Sequence, residues 1–132
     1  MDAKLTGGDR MSGHYVKKEK RKRLMKELLS ATIEFVKELS TYYGVEPPKI
    51  ILIGTWYFPY YNSDIKRITL GHIYPLPLLL HEFRHHVVHA KKIREEKEYE
   101  RELDAIRWSI SEAPKWVERW LFAVYPLMYE LK

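Results

Sequence analysis

The feature that most constrains this fold is one short β-branched run, IILIG at 50–54, which follows a long stretch with helical periodicity. Apolar side chains recur every three or four residues from residue 18 to residue 43, and Gly44 stands where a C-cap glycine ends a helix. The prolines of VEPPKI then exclude a helix and lead into the run, which is typical of a buried strand. The chain is therefore predicted to pass from one amphipathic helix into a sheet.

Two more strands are predicted within TWYFPYYNSDIKRITLG, residues 55–71. A turn at 62–64 separates them, and Pro59 favours a bulge or an edge position for the first. The second, IKRITLG, alternates charged and apolar residues, as a half-exposed strand does. These runs predict a small three-stranded sheet with an exposed edge strand.

The rest of the chain is predicted to be helical, and Pro77 is well placed to begin the first segment. Pro114 is expected to break the pattern into at least two helices, and Pro126 to end or kink the last. The order predicts one α+β domain: an N-terminal backing helix, the sheet, a histidine-rich helix, a glutamate-bearing helix and a C-terminal helix. Residues 1–16 are predicted to be a flexible leader, and residues 17–132 to form the domain.

Composition excludes several classes of site. The chain has no cysteine, which excludes disulfides and thiolate ligands, so any metal must be held by nitrogen and oxygen. No apolar stretch approaches the roughly 20 residues that span a bilayer, and the N-terminus lacks the apolar core of a secretory signal. We therefore expect no membrane contact and a cytoplasmic location.

The net charge of +5 is concentrated in KKEKRKRLMK, residues 17–26. Such a basic patch attracts nucleic acid or another anionic surface. It is also typical of the solvated first turns of a helix in a basic protein. This second interpretation is favoured because no recognisable nucleic-acid-binding fold accompanies the patch.

The segment LPLLLHEFRHHVVHA, residues 76–90, places four histidines and a glutamate on one predicted helix. His81 and His85 are one turn apart on the same face, so both imidazoles can reach one cation. Glu82 is rotated aside and can address the open side of that metal. This is the His-Glu-x-x-His pattern of zinc hydrolases.

The other two histidines of this segment are not expected to be ligands. His86 is rotated off the shared face, and His89 lies about 12 Å along the helix axis from His81. Because no histidine follows His89 and a catalytic zinc usually has three protein ligands, the third ligand is expected to be a carboxylate downstream. The ordinary alternative is a core helix with accidental histidines, which would leave each buried polar group in need of a partner.

HEFRH followed by YERELDA resembles the gluzincin metallopeptidases, and the compact chain is most similar to the minigluzincins. In that family a second helix carries Glu-x-x-x-Asp or Asn. The resemblance implies Glu100 as the third zinc ligand and Asp104 as the partner that supports a zinc-bound histidine, His81. It covers roughly residues 18–112.

Glu102 is the rival ligand. An apolar stripe begins at Tyr99, and Glu102 flanks this stripe on the side opposite to Glu100. Glu100 is preferred because only it has an acid four residues later within the motif. In a helix that continued straight from His85, Glu100 would lie about 22 Å away. A shared metal therefore requires the chain to reverse near residues 92–94.

The family also uses an edge strand before the catalytic helix to align an extended peptide. IKRITLG is the matching segment, so the expected substrate-binding residues are Arg67, Ile68, Thr69 and Leu70. The resemblance thus implies an endopeptidase with one Zn²⁺ and Glu82 as general base, acting on peptides or locally unfolded protein. The main alternative is a non-catalytic protein of the same fold that binds metal structurally, or nucleic acid through its basic helix. A third hypothesis, a protease brought to DNA by that helix, combines the two.

Overall fold

The computed structural model describes residues 7–54, 58–93 and 97–131, with side chains described from residue 17 onwards. Its elements form the predicted α+β fold. They are α1 (Gly7–Tyr43), β1 (Lys49–Leu52), β2 (Tyr60–Asn62), β3 (Arg67–Leu70), α2 (Leu76–Ala90), α3 (Glu98–Ala123) and α4 (Tyr125–Leu131). No helix within these ranges is long and apolar enough to cross a bilayer.

The first helix ends at the predicted glycine. Gly44 has a φ of 70°, and the Val45 N–H donates to the carbonyl of Ser40 at 3.0 Å. This is the hydrogen bond of a Schellman cap, so the predicted C-cap is confirmed. At its other end α1 begins at Gly7, and the helix therefore extends into the predicted leader. Residues 1–6 of that leader lie outside the described residues.

The sheet has the strand order β1-β3-β2, with β3 parallel to β1 and antiparallel to β2. The prediction that β3 is an exposed edge strand is therefore wrong. All four of its residues have a partner in β1, and three also have one in β2, so neither edge of β3 can align a peptide. Three of the four predicted substrate-binding residues are buried, namely Ile68, Thr69 and Leu70.

The β2–β3 hairpin forms at the predicted turn. The Asn62 side chain accepts a hydrogen bond from the Asp64 N–H at 3.0 Å, which is the Asx turn expected of this residue type. Lys66 completes the turn with a φ of 51°, a left-handed conformation that is uncommon for lysine. Part of the predicted first strand of this hairpin, residues 55–57, lies outside the described residues.

Pro114 does not break the helix, contrary to prediction: α3 runs from Glu98 to Ala123. The proline removes the N–H that would donate to the carbonyl of Ile110. Ile110 is exposed, so solvent can replace that bond and the helix continues. The break falls instead at Val124, and Pro126 lies in the first turn of α4, where a proline starts a helix rather than ending one.

The core lies between α1, the sheet, α2 and α4. Its fully buried members include Leu28 and Leu39 of α1, Ile68 of β3, Leu79, Leu80 and Phe83 of α2, and Met128 of α4. Burial of the leucine and phenylalanine face of α2 turns the face with His81 and His85 away from the core and towards α3.

We expect Leu79→Ala to lower the free energy of unfolding by about 2–5 kcal/mol, because it opens a cavity on the buried face of α2. Leu78→Ala is the matched control: this neighbouring side chain is 43% exposed, so its truncation should cost less than about 1 kcal/mol. Urea denaturation followed by circular dichroism measures both. Equal losses would contradict the packing of α2 described above.

Tyr43 joins the last turn of α1 to α3. Its hydroxyl donates to Oε1 of Glu112 at 2.6 Å and accepts from Nε1 of Trp116 at 2.9 Å. Its ring also packs against Trp108, with 4.9 Å between ring centres. The hydrogen bond from Tyr43 is the main cause that holds the pKa of Glu112 below its ordinary value.

Tyr43→Phe is expected to cost about 1–3 kcal/mol near neutral pH, because Trp116 and Glu112 both lose a hydrogen-bond partner. The folded pKa of Glu112 lies below the ordinary value of 4.5. This stabilisation is therefore present above pH 4.5 and is lost as the pH falls through the folded pKa. Denaturation at a series of pH values should show the difference between wild type and variant shrinking in acid to the part contributed by the Trp116 hydrogen bond. Tyr99→Phe, at an exposed tyrosine of α3, is the control, and a difference independent of pH would contradict the link to Glu112.

Candidate metal centre

Three side-chain atoms from α2 and α3 form a tight triangle. Nε2 of His81 lies 3.0 Å from Oε2 of Glu102, and Nε2 of His85 lies 3.1 Å from the same oxygen. The two imidazole nitrogens are 3.3 Å apart. Hydrogen bonds cannot account for all three short contacts at once. If both Nε2–H groups donate to Glu102, neither nitrogen has a lone pair left to accept a hydrogen bond from the other.

The triangle fits a tetrahedral divalent ion. Bonds of about 2.0–2.2 Å to nitrogen and oxygen place the ligand atoms of such an ion about 3.3–3.5 Å apart, close to the three observed separations. Within the described part of the chain, His81, His85 and Glu102 are the one group of three histidine or acidic side chains that can hold a metal ion. The structure therefore brings together a group of nitrogen and oxygen ligands that could hold a metal ion, as predicted.

The protonation states of this group suit a metal. Burial is the main cause that lowers the pKa of His85, which favours its neutral, ligating form. Partial burial opposes ionisation of Glu102, but His85 and His81 together hold the pKa of its carboxyl below the ordinary value. The site thus presents a neutral imidazole and a carboxylate in the forms that bind divalent cations.

The carboxylate beside the two histidines is Glu102 and not Glu100, which corrects the ligand set implied by the resemblance. The predicted reversal is confirmed, since α2 ends at Ala90 and α3 begins at Glu98, although residue 94 lies outside the described residues. Residues that are two apart in sequence point about 200° apart around a helix axis. Glu100 and Glu102 therefore cannot both face α2. Glu100 is exposed.

The resemblance implies that Asp104 supports His81, but the structure pairs Asp104 with Arg84 instead. Its carboxylate accepts hydrogen bonds from Nε of Arg84 at 2.8 Å and from the terminal nitrogen of the same side chain at 3.4 Å. The Arg84 guanidinium also lies 5.6 Å from the ring centre of Trp108. This contact holds α3 against α2 and thereby fixes which of its acids faces the histidines.

Glu82 lies beside the triangle without belonging to it. One carboxylate oxygen is 3.7 Å from Nε2 of His81, and the backbone N–H of Tyr61 in β2 donates a hydrogen bond to the same carboxylate. Burial and then the negative charge of Glu102 raise the pKa of Glu82 to about 7, against the opposing effect of the Tyr61 bond. A divalent cation in the triangle would act in the opposite direction to Glu102.

Tyr61 has a role that the sequence did not indicate. Its hydroxyl lies 2.9 Å from Nδ1 of His86, and Nε2 of His86 lies 2.6 Å from the carbonyl of Glu46. A carbonyl only accepts, so Nε2 carries the proton and Nδ1 accepts from Tyr61. Buried His86 therefore ties β2 to α2 and holds the Tyr61 N–H towards Glu82. A tyrosine in a predicted strand carries no pattern that would reveal this contact.

An open cleft of about 1020 Å³ lies against Glu82, His85 and Glu102. Tyr60 and Tyr61 of β2 also line this cleft, and none of the four β3 residues does. Among the described strands β2 pairs with β3 alone, so its outer edge has no strand neighbour, and the Tyr61 N–H is already donated to Glu82. The strand beside the candidate site is therefore β2, and not β3 as predicted.

The basic segment 17–26 makes contacts with the C-terminal helix. Arg21 donates to the carbonyl of Leu131 at 2.9 Å, and Lys20 lies 3.9 Å from Glu130. Part of its charge therefore serves the packing of α1 on α4. Binding of nucleic acid by this segment stays a prediction.

Comparison with known proteins finds no protein family, curated protein or solved structure that matches this chain. The resemblance to gluzincins accordingly rests on the residues alone.

Proposed function

We propose that this protein is a zinc-dependent peptide hydrolase, with the ion held by His81, His85 and Glu102. The observation that carries the proposal is the position of Glu82, a buried carboxylate 3.7 Å from one of the ligand nitrogens. Structural zinc sites are almost always closed by four protein ligands, whereas catalytic sites use three and keep a position for water. Three ligands with an acid beside them therefore favour catalysis over a structural role.

The residues of the chain divide the chemistry between them. When bound, the ion acts as a Lewis acid on the scissile carbonyl and lowers the pKa of water. Glu82 accepts the proton of the attacking water and passes it to the departing amine. Tyr61 holds the Glu82 carboxylate through its N–H, and His86 holds Tyr61.

The proposed substrates are peptides and locally unfolded proteins. The cleft is open to solvent along its length, with a volume of about 1020 Å³, so it can admit a segment of polypeptide. An extended peptide can form backbone hydrogen bonds along a free strand edge, with little dependence on its side chains. Of the two outer strands of the sheet, β2 is the one that lines the cleft, and the backbone groups of β2 other than the Tyr61 N–H, which Glu82 accepts, are the ones proposed to pair with a peptide.

The test compares metal-free protein with protein reconstituted to one zinc per chain. Both are incubated with a mixture of quenched fluorescent peptides and with an unfolded reporter protein. We expect hydrolysis only after reconstitution, with complete loss on chelation and recovery on adding zinc. Full zinc occupancy without cleavage of any substrate would overturn the proposal and leave the non-catalytic metal-binding alternative.

A further inference from the structure

The outward face of α3 carries an apolar stripe that neither the core nor the metal centre explains. Its members are Ile106, Ile110, Val117 and Leu121, and each is between 41% and 66% exposed. They follow one another at intervals of four, seven and four residues, which are one, two and one turns of a helix, so they share one face. We name these four residues the α3 stripe.

The α3 stripe lies apart from the contacts that hold the protein together. Helix α3 packs on its neighbours through other residues, among them Ala105, Ser109 and Trp120, which are buried. No member of the stripe lines the cleft beside the metal centre. A row of exposed aliphatic side chains about 22 Å long is typical of a surface that meets another protein.

We propose that the occupant of the α3 stripe is the same stripe of a second copy of this chain, packed antiparallel about a two-fold axis. The spacing of four, seven and four residues reads the same from either end of the helix. An antiparallel pair centred between Ala113 and Pro114 therefore sets Ile106 against Leu121 and Ile110 against Val117. The same contacts occur twice, as an isologous interface requires.

Charge supports this arrangement. Arg107 and Glu118 lie on the same side of the stripe, 11 residues apart, and neither has an ion-pair partner within the described part of the chain. In the antiparallel pair each arginine comes within about one turn of the glutamate of the other copy, which forms two equivalent ion pairs. Within one chain the two residues are about 16 Å apart and cannot pair.

The first test is sedimentation equilibrium of the full chain from about 1 µM to 1 mM, which covers weak and moderate association. We expect a dimer, at twice the chain mass of 15.9 kDa, that dissociates on dilution. Ile110→Glu should raise the dimer Kd more than about tenfold, since it buries a charge at the centre of the interface. Phe122→Glu is the matched control, because Phe122 is exposed on the same helix but off the stripe. A monomer throughout, or equal effects of the two variants, would overturn the proposal.

Charge reversal tests the register. Arg107→Glu and Glu118→Arg should each weaken the dimer, because each sets like charges opposite one another. The double variant should restore it. Failure of the double variant to recover would contradict the pairing of these two residues across the interface.

Cross-linking then distinguishes antiparallel from parallel packing, and the absence of cysteine in the chain keeps it unambiguous. Ile110→Cys and Val117→Cys proteins are oxidised separately and as a mixture. The antiparallel register brings residue 110 of one copy to residue 117 of the other, so disulfide-linked dimers should form mainly in the mixture. Cross-links that form equally well in each variant alone would overturn the antiparallel arrangement.

Discussion

Glu82→Gln is expected to reduce zinc-dependent peptide hydrolysis by about 10²–10⁴-fold while zinc stays bound. Glutamine keeps the shape of the side chain, and its amide oxygen can still accept the hydrogen bond from Tyr61. It cannot accept a proton from water at neutral pH. The loss should therefore appear in the rate of the chemical step, with little change in substrate binding.

The measurement is steady-state hydrolysis of the best quenched peptide, with zinc content determined on the same samples by mass spectrometry. Glu100→Gln is the matched control, because Glu100 is exposed and lies outside both the cleft and the metal triangle. It should retain wild-type turnover. Undiminished hydrolysis by a zinc-loaded Glu82→Gln protein would remove Glu82 from the proposed mechanism.

Local chemistry made several parts of the fold and site predictable. The three- and four-residue spacing of apolar side chains identifies α1, and Gly44 supplies the positive φ at which that helix ends. Asn62 marks the hairpin turn because its side chain can bond to the chain two residues on. His81 and His85 share a face in any α-helix, whatever the rest of the molecule does.

The strand order was not predictable by the same means. Alternation in IKRITLG indicated a half-exposed strand, yet Ile68, Thr69 and Leu70 are all buried. The pattern reports on the two faces of a strand and carries no information on how many neighbours it has in the sheet. Pairing of β3 with β1 as well as with β2 depends on contacts across the whole domain.

The sequence favoured Glu100 over its rival Glu102 as the acid beside the histidines, because the rotational position of α3 depends on tertiary contacts. The residue before the helix, Lys97, makes no side-chain cap, so no capping signal fixes the starting position. The predicted apolar stripe that begins at Tyr99 did not indicate which face of α3 is buried either, because two of its residues, Ile106 and Ile110, are exposed. The Arg84–Asp104 ion pair joins α2 to α3, and with α3 held in this rotation Glu102 faces the histidines.

Glu102→Ala is expected to weaken zinc binding by more than about 100-fold. Loss of a residue that only supports a metal ligand lowers metal affinity by about 10–100-fold. Glu102 itself offers one of the three ligand atoms, so its loss should lower the affinity further. Zinc bound to the folded state also stabilises it, by about 2.7 kcal/mol at a concentration of 100 Kd. The wild type should therefore melt at a higher temperature when zinc is added, and the variant should not.

Glu100→Ala is the matched comparison, since it removes the same group two residues away on an exposed part of the same helix. It should keep both stoichiometric zinc and the rise in melting temperature. Mass spectrometry of metal content and thermal denaturation with and without zinc measure the two variants in parallel. The opposite result, with zinc lost only from Glu100→Ala, would mean that α3 is turned by about 200° when metal is bound. Such a turn would also break the Arg84–Asp104 contact, so Asp104→Ala would then leave stability unchanged.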